Sequence, residues 1–352
     1  MRFLHSADLH FGAGRQLHPD YLQRQIRAMR ALYRVAEREN VDCVVLAGDI
    51  FDNTNVRPPE RDAFLRELLR IDHRGFTTLI VDGNHDEYFA GYSNIRFLRL
   101  LYERKRFRHT VVAEGAPEWV TVAGQEFLLF PWRRDSAKTL VKESRRHRAA
   151  PVVVLHAALK GAKADNGYRL PTGDELDPRV HASYIALGDL HLMQCPIKRL
   201  PHMWYCGAPI QHDFGETLPK GCLIVDPTEP TAPRFVPLEL QPRLITVRSL
   251  KEQRGADQHD LFRLIATHAI EKDENFPQNI VKIDYRFDAS RVKVVKRHAR
   301  GQADEVRQSP LYGLEAVLRE VAGLTGRPLK LALKRGYSYM NTLARAGEGD
   351  VG

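Results

Sequence analysis

The sequence predicts an α/β protein with a smaller α+β domain behind the main one. Three observations carry this reading. Short apolar, β-branched runs alternate with longer amphipathic stretches. Each run is followed at once by aspartate, histidine or asparagine. From Asp226 onward the chain changes character, through a proline-rich segment into a second strand-containing pattern.

The runs Arg2–Leu4, Cys43–Leu46, Thr77–Val81, Val152–Leu155 and Tyr184–Leu187 are short, apolar and β-branched in character, which suits buried strands of an α/β domain. Between the first two, Leu22, Ile26, Met29, Leu32 and Val35 recur at helical spacing, predicting a helix over Tyr21–Glu39. A second helix is expected after Pro58-Pro59, since proline suits a first helical turn. A third is expected from Ser93, a good N-cap, to about Arg104. Asp226–Pro233 reads as a hairpin loop or a link. Beyond Pro242 come a strand-like Leu244–Val247 and a helix-like Asp257–Ile270. The alternation Val281, Ile283, Tyr285, Phe287 comes next. Leu311, Leu314, Leu318 and Val321 mark a last amphipathic helix, and the final residues have the composition of a flexible tail. The divisions expected are 1–237, 238–300 and 301–352.

The chain has 352 residues, of which 43% are hydrophobic, and carries a formal charge of +9. That size supports one large core and a smaller unit. A basic balance suits a polyanionic partner, although many basic enzymes have none. The four cysteines form no C-x-x-C pair, which argues against a zinc ribbon or a redox motif. The N-terminal residues do not read as a signal peptide and no run is long enough to span a bilayer, so a reduced, cytoplasmic protein is expected.

The chemistry lies at the carboxyl end of each run. Asp8 and His10 come after the first. Gly48-Asp49-Ile50-Phe51-Asp52 comes after the second, and Gly83-Asn84-His85-Asp86 after the third. His156 ends the fourth, and Gly188-Asp189-Leu190-His191 comes after the fifth. Open α/β sheets gather ligands at the carboxyl ends of their strands. Nitrogen and oxygen donors without thiolate suit Mn²⁺, Fe²⁺ or Zn²⁺, with Mn²⁺ the first choice. Two such ions about 3.5–4 Å apart can clamp the attacking and leaving oxygens of a phosphoester. A lone D-x-H pair carries no weight; five such groups in order, each after a strand, do. His5, His18, His73 and His109 belong to no such group and are read as ordinary core or surface residues. The absence of H-E-x-x-H argues against a helical zinc protease.

These motifs resemble the signature of calcineurin-like metallophosphoesterases. Within that superfamily, Phe3–His10 resembles the opening of SbcD-type, or meiotic-recombination-eleven-type, nucleases. Tyr205–Glu216 resembles the segment that comes after their last metal motif, with Ala208 where serine is usual. The resemblance covers about residues 1–225. It implies a four-layer α/β/β/α sandwich with a capping domain. Asp8, His10, Asp49 and His191 would hold one metal. Asp49, Asn84, His156 and Asp189 would hold the other. His85 would face the scissile phosphate, and Asp52 would orient it. Asp189 stands where the family usually has histidine. The resemblance further implies DNA as substrate, a homodimer through the helices at 61–71 and 93–104, and a coiled-coil, SbcC-like ATPase partner bound beyond the second domain. Arg15 and Arg57 are candidate DNA contacts, and the basic stretches Arg133-Arg134, Lys138–Arg148 and Lys293–Arg300 are weaker ones. The competing readings are a phosphatase or cyclic-nucleotide phosphodiesterase on the same scaffold, and a metal-site relic serving as a scaffold.

Overall fold

The computed structural model describes residues 1–285 apart from 19, 90, 133–135, 254–259, 267–276 and 278. It divides into a unit of Met1–Ile245 with His259–Leu261 and a unit of Thr246–Gln258 with Phe262–Gly352.

The first unit runs β1 (Phe3–Ser6), α1 (Tyr21–Arg38), β2 (Cys43–Ala47), α2 (Pro58–His73), β3 (Thr78–Val81), β4 (Glu87–Phe89), β5 (Tyr92–Ser93) and α3 (Arg96–Glu103). It continues with β6 (Thr110–Ala113), β7 (Glu118–Val122), β8 (Gln125–Phe130), α4 (Ser136–Ser144), β9 (Val152–His156), β10 (Tyr184–Gly188), β11 (Met203–Tyr205), β12 (Gly221–Val225) and β13 (Arg234–Pro237). One sheet has the order β13-β12-β1-β2-β3-β6 and a second the order β11-β10-β9-β8-β7. Strands β1, β2, β3 and β6 are mutually parallel, as are β8 to β11.

Alternation along β2 explains why its run is apolar throughout. Val44 and Leu46 pack towards Met29 and Leu32 of α1 and Phe64 and Leu68 of α2. Cys43, Val45 and Ala47 pack towards Phe127, Val152, Val154 and Tyr184 of the second sheet. The far face of that sheet, with Leu128, Val153 and Ile185, packs on Leu140 of α4 and on Leu159. The layers are therefore helix, sheet, sheet, helix. Each buried aliphatic or aromatic side chain contributes about 1.5–3 kcal/mol relative to exposure, and the sheet-to-sheet layer fixes both sets of strand ends.

The third helix starts at Arg96 rather than Ser93. Ser93 instead accepts the Ile95 N–H through its hydroxyl, holding the turn that precedes the helix. Asp226–Pro233 is the loop of the β12–β13 hairpin, closed where the Asp226 carboxylate accepts the N–H and hydroxyl of Thr228.

A three-stranded sheet comes next, in the order β14 (Leu244–Val247), β15 (Leu261–Ala266), β16 (Ile280–Tyr285). The helix expected over Asp257–Ile270 is corrected here, because Leu261–Ala266 is a strand. Leu261, Leu264 and Ile265 mimic helical spacing, yet Phe262, Leu264 and Ala266 are buried while Arg263 and Ile265 are only half-buried, a period of two. Phe287, the basic cluster Lys293–Arg300 and the amphipathic stretch from Leu311 lie outside the described residues.

Candidate metal centre

The carboxyl ends of β1, β2, β3, β9 and β10 meet at one edge. Backbone bonds stitch the first two loops together: Asp8 N–H donates to the Gly48 carbonyl at 3.0 Å and His10 N–H to that of Asp49 at 3.0 Å. The buried carboxylate of Asp86 ties in the third loop. It accepts the N–H groups of Gly83 (2.9 Å), Phe51 (2.9 Å) and Ile50 (3.1 Å). The glycines permit close approach. A Cβ on Gly83 would lie 2.1 Å from Asp49 Oδ1, and one on Gly48 2.3 Å from His156 Nδ1.

Four of the candidate ligands adopt the left-handed backbone that side chains disfavour: Asp8 (φ 55°), His10 (45°), Asp49 (50°) and Asp189 (106°). Such strain persists only where the surrounding structure enforces it, and it gathers at functional sites.

Two clusters result. His10 Nε2 lies 3.0 Å from His191 Nε2 and 3.5 Å from Asp49 Oδ2, and Asp8 offers an oxygen to the same group. His156 Nε2 lies 2.8 Å from Asn84 Oδ1, 3.3 Å from Asp49 Oδ1 and 3.6 Å from Asp189 Oδ1. The two oxygens of Asp49 thus face different clusters. Asp189 points its carboxylate into the second of them, and its N–H donates to Asp8 at 3.0 Å.

The ring tautomers test whether a cation fits. His156 Nδ1–H donates to the Ala47 carbonyl at 2.9 Å, and His191 Nδ1–H to Glu216 Oε1 at 2.8 Å. In each neutral ring the Nε2 lone pair then points into its cluster, the arrangement metal-binding histidines use. Three carboxylates and three imidazoles converge there without thiolate, which fits hard or borderline divalent cations.

Electrostatics agree. Burial works against charge at His191, but the Glu216 bond and Asp8 outweigh it and hold the ring at about 9. His156 is likewise raised against burial, by Asp49 and Asp189. Burial would raise Asp49, but His156, His10 and His85 hold it well below the usual carboxylate range. Burial pushes Asp8 above that range.

His85 is exposed at the mouth, its ring edge-on to His10 with centroids 4.9 Å apart. Its Nδ1–H donates to the main-chain carbonyl of Asp52. The expected orientation by the Asp52 carboxylate is therefore corrected: that group accepts from Asn53 and stands 3.9 Å from His10 Nδ1. Arg15 is paired with the buried Glu60, so its charge is already engaged. Arg57 is exposed at the start of α2. Within Lys138–Arg148, Arg145 donates to the Arg179 carbonyl and Arg146 pairs with Glu143, while Arg133 and Arg134 lie outside the described residues.

Three residues escaped assignment. Glu216, besides holding His191, takes Lys220 at 2.8 Å and the His212 N–H at 3.2 Å. His212 donates to the Asp8 carbonyl at 2.9 Å and packs edge-on against His10 and His191. Lys220 is buried and also bonds Asp165 and the His191 carbonyl. The signal for the first two was the Tyr205–Glu216 segment.

Residues 1–193 match the calcineurin-like phosphoesterase family. The uncharacterized metallophosphoesterase YhaO of Bacillus subtilis is 26% identical over 245 residues, 65% of this chain and 58% of that protein. The DNA double-strand break repair protein Mre11 of Archaeoglobus fulgidus is 26% identical over 212 residues, 54% of this chain and 46% of that protein. A subunit of the nuclease SbcCD of Bacillus subtilis is 24% identical over 266 residues, 64% of this chain and 66% of that protein. The chain thus spans about half to two thirds of the length of these relatives. The family match takes in more than half of the chain and all five strand ends that build the centre, and the chain belongs to the calcineurin-like phosphoesterases.

Proposed function

We propose that this chain is a two-metal, manganese-dependent phosphodiesterase that cuts DNA, of the SbcD type. The observation that carries the reading is the divided carboxylate of Asp49, with Oδ2 towards His10 and Oδ1 towards His156. Asp8, His10, Asp49 and His191 would hold one ion, and Asp49, Asn84, His156 and Asp189 the other. Two bound divalent ions supply the positive charge that stabilises a phosphoryl-transfer transition state.

The protein's own groups do the rest. The Ala47 carbonyl and Glu216 fix the tautomers of His156 and His191. His85, with Nδ1–H tied to a carbonyl, has Nε2 left to gain and lose a proton. It is the group that protonates the departing oxygen. DNA as substrate is supported by the basic balance and by relatives named for DNA break repair and for the SbcCD nuclease. A coiled-coil ATPase partner and a homodimer belong to the same reading.

The test is hydrolysis of end-labelled single-stranded DNA beside bis-p-nitrophenyl phosphate, with Mn²⁺, Mg²⁺ and Zn²⁺ in turn. Manganese-dependent cutting of DNA is expected. Turnover of the small diester with intact DNA would replace the nuclease reading by that of a small-phosphoester hydrolase.

A further inference from the structure

Within the first unit, a cavity of about 450 Å³ opens between the start of α1, residues 210–220 and residues 238–243. That lies in the range of about 300–1,000 Å³ usual for small-molecule sites. It is lined by three cations, Arg24, Lys220 and Arg243, and by one acid, Glu239.

Two of those cations are engaged. Lys220 directs its ammonium at Asp165, Glu216 and the His191 carbonyl. Arg243 grips the buried Asp260. Arg24 differs. It is 7% exposed, and its guanidinium donates to the Gln211 carbonyl at 3.0 Å. A guanidinium has five N–H donors, and Arg24 has no carboxylate partner in contact among the described residues. Burial, with Arg27 next, lowers it to about 10, and the opposing pull of Glu216 is smaller than either. That is the behaviour of a desolvated cation without a counter-charge beside it. Buried charges are ordinarily paired, and here the partner is missing from the protein side.

The remaining wall is mostly apolar, with Gln211, Thr217 and Gln241 as its polar members. Ile210, Leu218, Leu238 and Leu240 line it with Pro219 and Pro242. Inorganic phosphate would use the cation and leave this wall idle. A ligand with one phosphate and a flat ring would use both, and a longer phosphate chain would add charge beside Glu239.

We propose that this cavity binds a nucleoside monophosphate, with the phosphate on Arg24 and the base against Leu218, Leu240 and Pro242. The cavity contains none of the candidate metal ligands, although its Lys220 also bonds the His191 carbonyl, and it does not depend on the substrate assigned to the metals.

The test is calorimetric titration of the full-length, manganese-loaded protein with AMP, adenosine and inorganic phosphate. AMP should bind more tightly than either of the others. Arg24→Gln should weaken AMP about 10-fold or more, the usual scale for losing a charge-assisted hydrogen bond. AMP bound at the metals would survive that substitution, so an unchanged isotherm overturns the proposal. So does inorganic phosphate binding as tightly as AMP, or no AMP binding to the wild type. Should Arg24→Gln fail to fold by circular dichroism, Leu240→Glu decides. It keeps the cation but sets a carboxylate in the half-buried wall, and undiminished AMP affinity there overturns the proposal.

Discussion

His85 is held by the main-chain carbonyl of Asp52, which accepts its Nδ1–H. A carbonyl is supplied by any residue at position 52, so the two side chains should separate on substitution. His85→Asn should lower the rate by about 10²–10⁴, the range for a general acid–base group, with metal content unchanged. Asp52→Ala should cost far less, about 10-fold or below, because the ring keeps its acceptor. Steady-state kinetics with metal analysis checks both. An Asp52→Ala loss equal to that of His85→Asn would restore the carboxylate as the orienting group.

Asp189 brings a carboxylate to within 3.6 Å of His156 Nε2. It adds negative charge to the second cluster and should favour harder ions over Zn²⁺. Asp189→Ala should weaken the second ion about 10-fold or more. Asp189→His should keep activity with a lower pH optimum, since a neutral ligand leaves a bound water more acidic. Metal titration and pH–rate profiles on all three proteins decide. Unchanged affinity in Asp189→Ala removes this residue from the site.

Metal uptake should depend on pH with a definite sign. In the metal-free protein His191 titrates at about 9 and His156 is raised well above its usual value, so both rings carry a proton on Nε2 at neutral pH. Ligation needs that lone pair. Binding must therefore release about one to two protons at pH 7, and affinity must rise with pH until the rings deprotonate unaided. Calorimetry of Mn²⁺ binding in buffers of different ionisation enthalpy counts those protons. Affinity that stays constant between about pH 6 and 8 would contradict this.

The proposed homodimer rests on α2 and α3. Phe64, Leu68 and Leu98 are consumed by the core, but Leu65, Phe97 and Leu101 are only partly buried and Leu100 is 48% exposed. Arg61 lies 5.8 Å over the Phe97 ring. Light scattering should give a dimer for the wild type and a monomer for Phe97→Glu, Leu100→Glu. A monomeric wild type at micromolar concentration ends the idea.

The strands that carry the centre were legible because each is buried on both faces, so β2 or β9 reads as an unbroken apolar run. Edge strands were not. β7 and β13 are half exposed and mix Glu118, Thr121 and Arg234 with apolar residues, leaving no run to notice. The helix start at Arg96 was hidden because Ser93 spends its hydroxyl one turn early. Among the site residues, Asp8, His10, Asp49, Asn84, His156, Asp189 and His191 all converge as their positions after strands implied. The carbonyls of Ala47 and Asp52 could not be anticipated, since a main-chain acceptor leaves no mark on residue type. Glu216 and His212 lie in the Tyr205–Glu216 segment, which marks them by resemblance only, and their contacts with His191 are visible only in the fold.

The left-handed backbone at Asp8, His10, Asp49 and Asp189 persists only where the surroundings enforce it, which should make the centre stiff. Loops held this way, two of them joined through Asp86, should adjust little to their contents. Ligand spacing would then be set by the sheets, and an ion would have to match a gauge that adjusts little to it. Discrimination among divalent ions of similar charge would fall to ionic radius, and an oversized ion such as Ca²⁺ would be resisted by the framework rather than by the ligands.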